Sequence, residues 1–194
     1  MPLPSPPPLQ LPFAPERVIV FSGHIVDAPG RPDERFPSRM LPAATHRIGE
    51  ALDAMQCGPS DIAITQGSAG GDILFIEACV QRRIAIQLML PLPEPQFIER
   101  SVEATTDGAT WKNRYLAARG RLGCEPAVMP GAPGNPFERC NAWMLSTALA
   151  SGASRLELLC LWNGAPGDAG GTAHMVLESM AARGKITWID TREL

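Results

Sequence analysis

The stretch "DIAITQGSAGGDILFIEACVQRRIAIQLML", Asp61 to Leu90, decides the fold class. "DIAIT" is a short β-branched run, and "IAIQLML" (Ile84–Leu90) is a second apolar run that "PLPEP" stops. Between them the spacing predicts a helix from about Gly71 to Arg82, entered through the glycine-rich turn "QGSAGGD". Strand, helix and strand of these lengths form a βαβ unit. Both runs are apolar without alternation, as expected of strands covered on both faces in a parallel sheet.

The same alternation extends in both directions. "RVIVFS" (Arg17–Ser22) reads as a buried first strand, and Arg39 to Met55 carries Ile48, Leu52 and Met55 at helical spacing. Beyond the third strand, helices are expected at about Gln96–Glu103 and Ala109–Gly120, then a weak strand near Ala127–Met129. A helix at about Phe137–Ala150 feeds the strand "RLELLCLW" (Arg155–Trp162). A glycine loop, a helix from about Thr172 to Arg183 and the strand "KITWID" complete the chain. The predicted class is a doubly wound α/β domain over residues 16–194, with a mainly parallel sheet of about six strands and helices on both faces. Residues 1–15 stand apart: seven of the fifteen are Pro, so an extended, flexible polyproline-like tail is expected there.

Composition narrows the function classes. Apolar residues make up 45% and charged residues 19% of the 194, ordinary for a globular protein. A net charge of -3 with no basic block speaks against nucleic acid as the main partner. No apolar run approaches the roughly 20 residues of a membrane-spanning helix, so no membrane is expected as a partner. Nor does a basic segment followed by an apolar one open the chain, which predicts no signal peptide and a reducing cytoplasm. Cys57, Cys79, Cys124, Cys140 and Cys160 are odd in number and form no C-x-x-C pair, so they read as small buried thiols. His24, His46 and His174 are dispersed; no metal and no cofactor is predicted.

Ligands of doubly wound sheets bind beyond the carboxyl ends of strands. Three such ends have unusual chemistry. The first strand runs into Ser22, Gly23, His24, Asp27 and Arg31; the second into Gly67, Ser68, Ala69, Gly70, Gly71 and Asp72; the fifth into Asn163, Gly164, Asp168, Gly170, Gly171 and Thr172. Two of these loops open directly onto a helix, where backbone amides and the helix dipole favour an anion. Ser68 and Thr172 offer hydroxyl donors, while Asp27, Asp72 and Asp168 are candidate acceptors from ribose hydroxyls. Taken alone, "TQGSAGGD" reads as a tight turn between two core elements; read with the other two loops, Gly70 and Gly71 are expected to admit a phosphate. Arg139 and Asn141 open a helix on the same side of the sheet, as ligand contacts or as a helix cap and surface charge. Arg31 and Arg35 are expected to meet either a phosphate or an exposed salt-bridge partner. Trp162 is either core or a stacking surface for a base. No Gly-Lys-Ser/Thr and no G-x-G-x-x-G occurs in these loops, which disfavours phosphoryl transfer and NAD-type dehydrogenation.

"FSGH" after strand one, "GSAGGD" with "EA" and "RR" at strand two, and "PGDAGGT" before the penultimate helix resemble the superfamily that joins the DNA-processing protein DprA to the LOG phosphoribohydrolases, often called SLOG. The resemblance spans about Arg17 to Leu194 and implies a Rossmann-like fold, a nucleotide ligand and a dimer. LOG enzymes place a catalytic Glu within about a turn of their Gly-Thr. Here Ala173, His174 and Met175 occupy that turn, and Glu178 arrives later. The resemblance is therefore closer to members that sense nucleotides related to ADP-ribose and signal to a partner or fused effector. The alternative is hydrolysis of a nucleotide N-glycosidic bond, which needs a carboxylate such as Asp72, Glu77 or Asp168.

Overall fold

A computed structural model of the chain describes residues 6–166 and 170–194. Six strands, β1 (Val18–Gly23), β2 (Ile62–Thr65), β3 (Ala85–Leu90), β4 (Ala127–Val128), β5 (Leu156–Trp162) and β6 (Lys185–Asp190), form one sheet in the order β4-β3-β2-β1-β5-β6. Every neighbouring pair is parallel. The chain first steps outward from β1 to β4, then returns to place β5 on the other side of β1. That reversal puts the topological switch point between β1 and β5.

The helices are α1 (Leu41–Ala54), α2 (Gly71–Gln81), α3 (Glu94–Ile98), α4 (Gly108–Arg119), α5 (Pro136–Ala150) and α6 (Thr172–Ala181). The two faces of β1 show how the layers form. Ile19 and Phe21 share one core with Ile48 and Leu52 of α1, Ile73 and Ile76 of α2, and Trp111 and Tyr115 of α4. Val18 and Val20, pointing the other way, share a second core with Cys140, Trp143 and Met144 of α5 and Met175 of α6. Helix α2 is buried almost all round, which explains why "DILFIEAC" lacks a polar stripe. Cys79, Cys140 and Cys160 are buried in these cores, and burial pushes their thiols above the ordinary range.

Three local features differ from the sequence expectation. Helix α3 begins at Glu94, before the expected Gln96, because Pro95 is tolerated in a first turn where its missing N–H costs nothing. It then continues as a π-helical turn over Glu99–Glu103. Helix α6 stops at Ala181 because Arg183 adopts a left-handed φ of 58° ahead of Gly184. The Pro-rich start has no helix or strand over residues 6–15, and it is tied down along α5. Trp143 Nε1 donates to the Pro7 carbonyl at 2.9 Å, the Leu9 amide donates to Thr147 Oγ1 at 3.0 Å, and Leu9 and Leu11 pack on the α5 core. Among the described residues no helix is long and apolar enough to cross a membrane.

Candidate functional site

A cavity of about 330 Å³ opens at the carboxyl ends of β1 and β5, where the switch point places it. Ser22, Gly23 and His24 from the end of β1 and Gly170, Gly171 and Thr172 from the entry to α6 line it. The Ser22 and Thr172 hydroxyls meet at 3.2 Å. Gly171, the residue before α6, has no side chain to cap the helix, and its carbonyl accepts from the His174 amide at 3.1 Å. Gly170 has φ +85°, and a Cβ there would lie 2.7 Å from the Glu138 amide nitrogen. The glycine lets this loop settle onto the start of α5.

Helix α5 contributes Phe137, Asn141 and Met144 to the cavity. Asn135 caps the helix by accepting from the Phe137 amide at 2.9 Å, with Pro136 in the first turn. Asn141 is buried and links two loops: its Nδ2 donates to the Gly170 carbonyl at 2.7 Å, and its Oδ1 accepts from Gln66 Nε2 at 2.8 Å. Gln66 also lines the cavity. A Gln closing a strand carries no local signature in the sequence; only the fold brings it to Asn141.

The glycine turn after β2 behaves differently from the expectation of a phosphate cradle. Four of its five amides from Gly67 to Gly71 are occupied within the protein. Gly67 and Ser68 donate to Asp72 Oδ2 at 3.0 and 3.2 Å, Ala69 donates to the Ser101 carbonyl at 2.9 Å, and Gly71 donates to the His24 carbonyl at 3.1 Å. Gly70 pairs with Ile25 in an isolated antiparallel bridge. A Cβ on Gly70 would lie 2.7 Å from the Val26 nitrogen and 2.9 Å from the His24 oxygen; one on Gly71 would lie 3.2 Å from the Gly23 Cα. What these two glycines admit is the main chain of the β1 loop. Of the turn, Ser68 and Asp72 line the cavity.

Both cavity carboxylates have an oxygen committed to the backbone. Asp72, buried, has its carboxyl pushed up to about 6 by desolvation, against the pull of the Ser68 and Gly67 amides. Asp27 Oδ2 accepts from the Arg35 and Phe36 amides, both at 2.9 Å, which folds the β1–α1 loop around it. His24 lines the cavity and also makes a loop bond, its Nε2 accepting from the Asn163 amide at 3.2 Å. Burial lowers its pKa below the usual imidazole value, consistent with a neutral ring accepting at Nε2.

The remaining sequence candidates lie elsewhere. Glu77 sits on the outer side of α2, where its carboxylate holds Arg114 at 2.6 Å. Arg139 turns away, its guanidinium donating to the Ala132 and Pro130 carbonyls. Asn163 Oδ1 accepts from the Ala165 amide, and Gly164 packs beside Trp188. Asp168 lies outside the described residues. Trp162 lines the cavity, with its Nε1 donating to the Ala165 carbonyl at 2.9 Å. Arg35 and Arg100 also line the cavity; the π-helical turn that carries Arg100 has no sequence signature. Among the described residues no three His, Cys, Asp or Glu side chains are grouped to hold a metal ion. No protein-family model matches this chain, and no curated protein matches it.

Proposed function

We propose that the cavity binds a nucleotide or nucleotide-derived ligand of the ADP-ribose kind, and that the chain senses this ligand and signals to a partner or effector. The observation that carries the reading is the composition of the cavity at the β1/β5 switch point. It combines a hydroxyl pair and the glycine-led entry to α6, suited to a phosphate, with aromatic and apolar side chains from Phe137, Met144 and Trp162. The order of "FSGH", "GSAGGD" and "PGDAGGT", which resembles SLOG proteins, supports the same ligand class. Sensing is favoured over turnover because Asp27 and Asp72, the cavity carboxylates, each brace a loop through one oxygen.

One observation favours a second reading. A carboxyl titrating near 6 at a cavity wall, as Asp72 does, suits acid–base work on a nucleotide N-glycosidic bond. Incubation with AMP, NAD and ADP-ribose, followed by chromatography and by thermal shift, separates the two. A raised melting temperature without product is the expected result. Release of a free base would make the protein a hydrolase, and no shift with any nucleotide would remove the binding reading.

A further inference from the structure

The cavity lining also carries charge away from the Ser22–Thr172 hydroxyl pair. Arg31 and Arg35 come from the β1–α1 loop and Arg100 from the π-helical turn Glu99–Glu103, and all three line the cavity. Arg31 is committed: its Nε donates to the Asp33 carbonyl at 2.8 Å and lies 3.6 Å from Asp27 Oδ1. Among the described residues the guanidiniums of Arg35 and Arg100 have no hydrogen bond and no carboxylate partner. Elsewhere Arg39, Arg82 and Arg114 each grip a carboxylate with two nitrogens. Fork-shaped donors left open at a cavity rim are the groups that take a phosphate bidentately.

Asp27 ties together the two segments that carry these arginines. The Asp27 carboxylate accepts the Arg35 amide, while the Asp27 carbonyl accepts the Thr106 amide at 3.3 Å and its hydroxyl at 2.8 Å. Thr106 follows the turn that bears Arg100, and the Ser101 carbonyl pins the same turn to Ala69 at 2.9 Å. A π-helical turn is rare and occurs frequently at functional sites. The charges facing this rim are the Asp27 carboxylate, already shared with Arg31 and two amides, and the buried Asp72.

We propose that Arg35 and Arg100 clamp a second phosphate group, so that the ligand carries two or more phosphates, as a nucleoside diphosphate or nucleoside diphosphate sugar does, and monophosphates are discriminated against. This rests on the nucleotide reading above and adds the residues that set its specificity.

Titration calorimetry of the full chain with AMP, ADP-ribose and inorganic pyrophosphate tests it, on the wild type and on R35A/R100A. The wild type binds ADP-ribose at least tenfold more tightly than AMP. The double variant erases that difference and loses pyrophosphate binding, while AMP affinity and the melting temperature stay unchanged. Equal affinities for AMP and ADP-ribose in the wild type, or a preference that survives in R35A/R100A, would overturn the clamp. Nucleotide binding insensitive to both substitutions leaves the nucleotide reading standing without it. Pyrophosphate binding that needs both arginines, with no nucleotide bound, leaves the clamp standing and removes the nucleotide.

Discussion

Gly70→Ala tests whether the turn after β2 is a joint between two main-chain segments. Gly70 has φ +102° and ψ -124°, a region that is essentially closed to residues with a Cβ. Holding a non-glycine residue in such a region costs about 1–3 kcal/mol. The added methyl also meets the Val26 nitrogen at 2.7 Å and the His24 oxygen at 2.9 Å, both backbone atoms pinned by the Val26–Ala69 and Gly71–His24 hydrogen bonds. Overpacking against atoms that cannot swing aside adds about 1–3 kcal/mol. The sum is on the order of 3–4 kcal/mol, or roughly 10 °C in melting temperature for a chain of this size. Gly30→Ala is the control, because Gly30 also has positive φ (+74°) but nothing within 4 Å of a Cβ. It should cost only about 1 kcal/mol. Urea unfolding of both variants measures the difference through the midpoint at unchanged m. If Gly70→Ala costs no more than Gly30→Ala, the close approach of the two loops is wrong.

Asp72→Asn removes a carboxyl whose folded pKa, about 6, lies above the usual value of about 4. Such a group stabilises the fold fully below the unfolded pKa, and that contribution is lost as pH rises through 6. Wild-type stability should therefore fall by about 3 kcal/mol relative to Asp72→Asn between pH 4 and pH 7, read by urea unfolding at each pH. Asn141→Ala leaves Gln66 Nε2 and the Gly170 carbonyl without their partner, and should cost about 1–3 kcal/mol by thermal unfolding and weaken AMP binding. Deletion of residues 1–11 removes two hydrogen bonds to α5 and the cover from Leu9 and Leu11; a loss of about 2–3 kcal/mol is expected, with AMP affinity unchanged by calorimetry.

The layers of the sheet were legible because each strand is a β-branched or leucine-rich run and each but the last has a helical pattern after it. Even the two-residue β4 left a trace in "AVM". Of the candidate site, read as three strand ends, Ser22, His24 and Thr172 line one cavity together with Asn141 of α5. What a glycine makes room for was not legible. Gly70 and Gly71 face the backbone of Gly23–Val26, and a small residue announces a close approach without naming what approaches. Arg100 and Gln66 escaped for a related reason: their places at the cavity follow from packing of the π-helical turn and of α5, contacts distant in sequence. The Pro-rich start behaved likewise, since its docking depends on the Trp143 indole and the Thr147 hydroxyl.

Amide chemical-shift mapping of the isotope-labelled chain during titration with ADP-ribose tests the central claim most directly. Saturable shifts should cluster at Ser22–His24, at Gly170–Ala173 and at Arg35 and Arg100, with the Asp72-bound amides of Gly67 and Ser68 moving least. Shifts centred on the Gly67–Gly71 turn, or an unchanged spectrum at saturating nucleotide, would contradict the account.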